Sequence, residues 1–369
     1  MRKWNTFFLF SGMSAVLILL PLTGIILQGK AIHPFLEFPP RTRYVRHAPF
    51  ALPVFIFLGI LIVGMVFFIY IFPLLRQRKR KSLENAACSH PFPLWGWIGI
   101  GLILISWFIA WTRFPGISYL RPYTFTPLWL GYILVVNGLV YRRKGTCLMT
   151  SSPRRFLLLF VVSAFFWWYF EYLNRFVQNW YYIGEKMRIS SLEYIIRATF
   201  PFSTVLPAVL GTKEYLLTFP WLGKYRSSYI FDIRPKKATA FGLLGMSFLT
   251  MFFLGVFPDY LFPMLWISPL VIITCFQILT GQKTVFAGIT SGDWHLVVSL
   301  SLASLICGFF WEMWNIYALP KWEYAVPFVN AFFVFEMPLL GYTGYLPFGL
   351  ECFAVASLFG LDKNKGTLR

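Results

Sequence analysis

"FALPVFIFLGILIVGMVFFIYIFPL" (residues 50–74) runs for 25 residues without one charged side chain. An α-helix needs about 20 such residues to cross the hydrocarbon core of a bilayer. Comparable runs at about 5–27, 93–112, 124–141, 156–174, 191–210, 238–257, 259–279 and 294–315 predict further spans, with a long one at 326–360. The composition agrees: 58% of the residues are hydrophobic, 13% are charged, and the mean hydropathy is +0.65. Soluble domains carry about 25% charged residues. The chain therefore reads as an all-α polytopic integral membrane protein of about ten transmembrane helices. Its expected division is a four-helix N-terminal membrane region (1–150) and a C-terminal membrane region (151–369).

The formal charge of +19 could point to nucleic acid, but its distribution does not. The basic residues fall in short clusters between apolar spans: "RQRKRK" (76–81), "YRRKG" (141–145), "PRR" (153–155) and "RPKK" (234–237). Such clusters mark cytoplasmic loops and attract anionic lipids. Ten crossings with both termini in the cytoplasm put these clusters, and the terminal "DKNKGTLR", on one side. The loop 28–47, with Lys30, Arg41, Arg43 and Arg46, runs against the rule. The resulting expectation is an integral protein of a bacterial cytoplasmic (inner) membrane. The first apolar run follows "MRKWN" but lacks an Ala-x-Ala site, so it reads as an uncleaved helix rather than a signal peptide.

Cys88, Cys147, Cys275, Cys307 and Cys352 have no metal-ligating spacing and predict small core residues, not a disulfide framework. Neither a metal nor a cofactor is expected. HExxH, GxSxG and P-loop patterns are absent. His33, His47 and His90 fall in loops and His295 at a span start, too few for paired haem ligation. "EYLNR" (171–175) lacks the second adjacent Glu and the histidines of CAAX-type proteases. The Pro-x-Glu-Glu motif of membrane lycopene cyclases does not occur either.

One short pattern occurs twice. "WYFEYLN" (168–174) and "FFWEMWN" (309–315) both read three aromatics, Glu, any residue, a large apolar residue and Asn. Glu171 to Glu312 and Asn174 to Asn315 are offset by 141, Trp180 to Trp322 and Tyr182 to Tyr324 by 142, and Glu193 to Glu336 by 143. A drift of one residue per loop is what a duplicated helix-pair unit, at about 156–210 and 294–360, should leave. In the second unit "LLGYTGYLP" (339–347) interrupts a span too long for a membrane, which predicts a broken last helix.

Ionisable groups in apolar spans mark functional sites, because an unpaired charge there is costly. Glu312, Glu336, Glu171 and Glu193 are the expected acid–base groups. Asn174, Asn315, Arg175, Arg197, Trp180, Trp322 and Glu351 are the expected substrate-binding residues. Arg175 and Arg197 lie four residues after Glu171 and Glu193, while Ile316 and Leu340 stand at the matching places of the second unit. Glu312 and Glu336 are thus expected to take an arginine across the repeat or to be neutral. Three functions fit: an enzyme or binding protein for a lipid or isoprenoid, a proton-coupled transporter, or a non-catalytic membrane subunit. The first is preferred, with membrane lipids and a hydrophobic small molecule as partners and no nucleic acid.

Overall fold

The computed structural model describes residues 2–40, 42–76, 89–184, 189–231 and 237–362. Cys88, most of the basic clusters 76–81 and 234–237, and nearly all of the C-terminal basic tail lie outside them. The chain is mostly helical, and among the described residues five helices are long and apolar enough to cross a membrane: Leu52–Leu75, Leu94–Trp111, Pro153–Val177, Ser191–Leu216 and His295–Asn315. Ala15–Leu27, Lys237–Phe253 and Met264–Leu279 are shorter apolar helices.

In chain order the elements are α1 (Arg2–Leu27), α2 (Leu52–Leu75), α3 (Leu94–Trp111), α4 (Phe125–Lys144), α5 (Pro153–Val177), β1 (Trp180–Ile183), α6 (Ser191–Phe202) and α7 (Val205–Leu216). There follow α8 (Lys237–Phe253), α9 (Met264–Leu279), α10 (His295–Asn315), β2 (Lys321–Tyr324), β3 (Phe333–Val334), β4 (Met337–Pro338) and α11 (Tyr345–Leu358). Local chemistry sets several ends. Pro153 opens α5, where a missing N–H costs nothing. Ser190 caps α6 by accepting from the Glu193 amide at 3.1 Å. Gly145 closes α4 at φ +72°, the left-handed conformation that glycine takes without strain.

The core is built from α5, α7, α10 and α11. Ten of the twelve residues of α7 are buried, and α10 buries Ser299, Ser301, Ser304, Glu312 and Asn315 with its apolar side chains. Two helical hairpins flank this core, α3 against α4 and α8 against α9. The packing recurs: α4 lies on α7 as α9 lies on α11, and α5 lies on α7 as α10 lies on α11. Each hairpin also reaches across the core. Trp129 of α4 stacks on Trp311 of α10 with centroids 4.8 Å apart, and Trp266 of α9 stacks on Phe170 of α5 at 4.9 Å. Helix α2 behaves differently, since none of its residues 52–66 is buried.

The last predicted span needs correction. Residues 326–344 form no α-helix. They make the β3–β4 hairpin and a 3₁₀ turn at Leu339–Gly344, and only Tyr345–Leu358 is α-helical. Fourteen residues rise about 21 Å, short of the roughly 30 Å hydrocarbon core. The physical reason lies in the backbone: Phe328, Phe332 and Phe335 all take positive φ, which breaks the helix that their apolar side chains suggest.

Candidate functional site

Helices α5 and α10 end side by side, because the strands that follow them pair. β1 and β2 are antiparallel, with Trp180 opposite Tyr324, Tyr181 opposite Glu323 and Tyr182 opposite Trp322. The asparagine of each pattern builds this junction. Asn174 Nδ2 donates to the Trp180 carbonyl at 2.8 Å, and its Oδ1 accepts from the amides of Asn179 and Trp180. Asn315 Nδ2 donates to the Trp322 carbonyl at 2.7 Å, and its Oδ1 accepts from the Trp322 amide at 2.9 Å. Both amides are fully buried and bind main chain.

The glutamate one turn earlier is held by aromatic side chains. Glu171 Oε1 accepts from the Tyr182 hydroxyl (2.6 Å) and from the indole N–H groups of Trp180 (3.1 Å) and Trp167 (3.2 Å). Glu312 Oε1 accepts from the hydroxyls of Tyr324 (2.7 Å) and Tyr345 (2.8 Å), and Trp322 Nε1 donates to Tyr324. Both glutamates are 0% exposed, and among the described residues neither Oε2 has a hydrogen-bond partner. An indole only donates, so Oε1 of Glu171 must accept and a proton on this carboxyl resides on Oε2. Each site thus has one anchored oxygen and one without a partner among the described residues.

The arginine pairing expected across the two patterns does not form. Arg175 donates to the carbonyls of Phe35 and Glu37 and ties down the loop after α1. Arg197 pairs with Glu193 on its own helix and donates to the Tyr123 hydroxyl at 2.8 Å. Tyrosine hydroxyls replace the arginines: they bind one oxygen of each buried carboxyl with no second charge to desolvate. Glu336 stands in the β3–β4 turn rather than inside a span, and it binds Lys321 Nζ at 2.5 Å. Lys321 also reaches Glu323 at 3.3 Å. Glu351 is buried in α11 with both oxygens unpartnered among the described residues.

A cavity of about 700 Å³ opens beside the two glutamates. Trp167, Trp180 and Tyr182 line it from the Glu171 side, and Glu312, Trp322 and Tyr345 from the other. Its size lies within the range of small-molecule sites, and its wall is mostly apolar. Trp180 and Trp322 are therefore cavity residues, as is Arg197. Glu171, Asn174, Asn315, Arg175, Glu193, Glu336 and Glu351 are not part of the wall.

Arg121, which sequence reading did not single out, lines the cavity from the 3₁₀ turn between α3 and α4. Its Nε and Nη2 donate to the carbonyls of Ala110 (3.3 Å) and Tyr317 (3.1 Å). The only sequence signal for it was a basic residue outside the cytoplasmic clusters. Among the described residues no set of three His, Cys, Asp or Glu side chains could hold a metal. Comparison of the chain with family models, with curated proteins and with solved structures finds no match.

Proposed function

We propose that this membrane protein is an enzyme or binding protein for a lipid or isoprenoid, with Glu312 as the group that gives or takes a proton. The observation that carries this reading is the placement of Glu312 in the wall of an apolar cavity, one oxygen anchored by two tyrosines and the other free. A carboxyl in an apolar pocket is suited to general acid work. Glu171 is its counterpart, reached through Trp167, Trp180 and Tyr182.

The site lies between two tandem halves in this reading. The matched Asn and Glu bonds support duplication, and so does the recurrence of the helix packing. That recurrence extends the repeat to α3–α7 and α8–α11 and moves the division of the chain from residue 150 to about 217–236. Leu206-Pro207 and Leu346-Pro347, near the starts of α7 and α11, match at an offset of 140. Parallel repeats related by an axis along the membrane normal recur in membrane proteins. We keep ten crossings of a bacterial inner membrane with both termini cytoplasmic, the tenth made of the 3₁₀ turn at Leu339–Gly344 together with α11, and basic loops that meet anionic lipids. The pairing of β1 with β2 requires α5 and α10 to end at one face, as this topology does.

The test compares the lipid profile of cells with the wild-type chain, with none, and with Glu312→Gln. The amide keeps an acceptor for Tyr324 and Tyr345 but has no acidic proton. It should insert and melt like the wild type while the profile matches that of cells lacking the protein. A Gln variant that restores the wild-type profile would leave Glu312 as a structural contact.

A further inference from the structure

The cavity has one charged end and one long apolar arm. Arg121 is only 7% exposed, and Arg197 lines the same cavity, bonded to Tyr123 two residues after Arg121; the Tyr123 ring also lies 4.7 Å below the Arg197 guanidinium. Arg197 has Glu193 as its counter-ion. Arg121 has none: among the described residues it binds only carbonyl oxygens. Among the described residues Arg197 Nε is buried without a partner. An arginine stays protonated in a protein, so an unbalanced buried guanidinium calls for an anion.

The apolar arm runs down the core. Along α10 the lining extends from Glu312 to Ser301, eleven residues or about 16 Å at 1.5 Å per residue. Along α2 it takes in Leu58, Ile62, Met65 and Ile69, a stripe at helical spacing. These four residues face the cavity from a helix without a buried residue over 52–66. An apolar slot of this length, walled in part by a helix segment (52–66) without a buried residue, is filled by hydrocarbon in a bilayer.

We propose that the cavity binds an anionic amphiphile, a lipid phosphate whose head group sits against Arg121 and Arg197 and whose chain lies along the α2 stripe. Phosphate is the chemistry that suits guanidinium donors: Arg121 Nε and Nη2 bind carbonyls and Arg197 Nη2 binds Glu193 and Tyr123, which among the described residues leaves Nη1 of each for the ligand. Glu312 then lies beside the upper part of the chain. This inference rests on the reading of the cavity as a lipid site.

The protein in nanodiscs of neutral phosphatidylcholine provides the assay, with quenching of the cavity tryptophans as readout. The probes are dodecyl phosphate, dodecanol and inorganic phosphate. Dodecyl phosphate should bind about tenfold or more tighter than dodecanol, the worth of one charge-assisted hydrogen bond. Inorganic phosphate alone should bind far more weakly, because it gains nothing from the slot. Arg121→Met should bring dodecyl phosphate down to the level of dodecanol and leave dodecanol unchanged. Ile62→Trp, which fills the slot, should weaken both alkyl probes. Equal affinity for the alcohol and the phosphate in the wild type overturns the head-group site while leaving the lipid cavity standing. Failure of both alkyl probes to bind overturns the cavity reading as well. Tight binding of inorganic phosphate alone would replace the amphiphile with a free anion. The wild-type comparison needs no variant to fold.

Discussion

Tyr181 and Glu323 face each other across the two-stranded sheet, and the tyrosine hydroxyl donates to Glu323 Oε2 at 2.8 Å. They also stand at matching places in the two patterns, each between a Trp and a Tyr. On either side, Trp180 opposes Tyr324 and Tyr182 opposes Trp322, so the motifs exchange places about this one pair. That exchange is the pattern of an isologous interface, in which one surface meets its own equivalent. It is what a fused pair of ancestral subunits would leave behind, and it supports the proposed duplication.

The same pair predicts an alkaline loss of stability. Burial, and then the hydrogen bond to Glu323, push the Tyr181 hydroxyl up to about 12. Lys321 is desolvated, but Glu336 and Glu323 outweigh this and raise its pKa. A group whose pKa is raised by folding contributes stability that is complete below its unfolded value and is lost as the pH rises to the folded one. Both values start near 10 in the unfolded chain. The melting temperature should therefore hold to about pH 10 and fall between about 10 and 12. Tyr181→Phe should flatten the tyrosine part of that fall, and an unchanged profile in the variant would refute the assignment.

Asn174→Ala and Asn315→Ala should cost similar amounts. Each removes a fully buried amide that satisfies main-chain groups at the entry to a strand, and each leaves those groups bare. Leaving a buried donor or acceptor unpaired costs roughly 1–3 kcal/mol. Thermal melting of both variants in detergent checks this. A loss at one position only would mean that the two junctions do not share their energetics.

The recurrence of these residues was legible in the sequence because they are local, but their roles were not: Asn174 and Asn315, expected to bind substrate, bind main chain. Glu171, Asn174, Trp180 and Tyr182 lie within twelve residues, and Glu312 to Tyr324 within thirteen, so spacing alone matches the two copies. What comes from afar was not legible. Tyr345 reaches Glu312 from 33 residues on, and Arg121 meets the cavity through a carbonyl 196 residues away. Arg175 misled because an i+4 spacing on a helix face does not say which element packs over it, whereas the same spacing does pair Arg197 with Glu193. The 326–344 stretch misled because apolar composition carries no information about the three positive-φ phenylalanines.

Gly349→Ala should be among the most damaging small substitutions. A Cβ at Gly349 would stand 2.1 Å from the Leu300 carbonyl oxygen and 2.5 Å from Ser304 Oγ, where α11 crosses α10. Close helix crossings in membranes rely on such small residues. Separating the helices costs about 1–3 kcal/mol. Gly101→Ala on α3 is the control: nothing lies within 4 Å of its Cβ position, and alanine is the better helix former. Gly349→Ala should melt lower than the wild type and Gly101→Ala no lower. Equal melting would show that α11 can shift without cost.

Glu351 yields the last prediction. It sits in the middle of α11, 0% exposed, next to Cys352, which is buried as well. Both carboxyl oxygens lack a partner among the described residues, and the Tyr169 hydroxyl is likewise bare. A buried polar group without hydrogen bonds destabilises a fold, and its replacement by an apolar side chain of similar size removes that cost. Glu351→Met should therefore raise the melting temperature in detergent, by a gain of about 1 kcal/mol or more. Glu351→Gln should bring no such gain, because its amide remains as polar as the carboxyl it replaces. The lipid profile decides why a costly residue stands there. If Glu351→Met is more stable and leaves the profile of wild-type cells intact, the carboxyl is a tolerated defect of packing. A stabilised variant with the profile of cells lacking the protein would instead make Glu351 part of the machinery. A lower melting temperature would refute the premise, since it requires that the carboxyl gains a partner in the membrane.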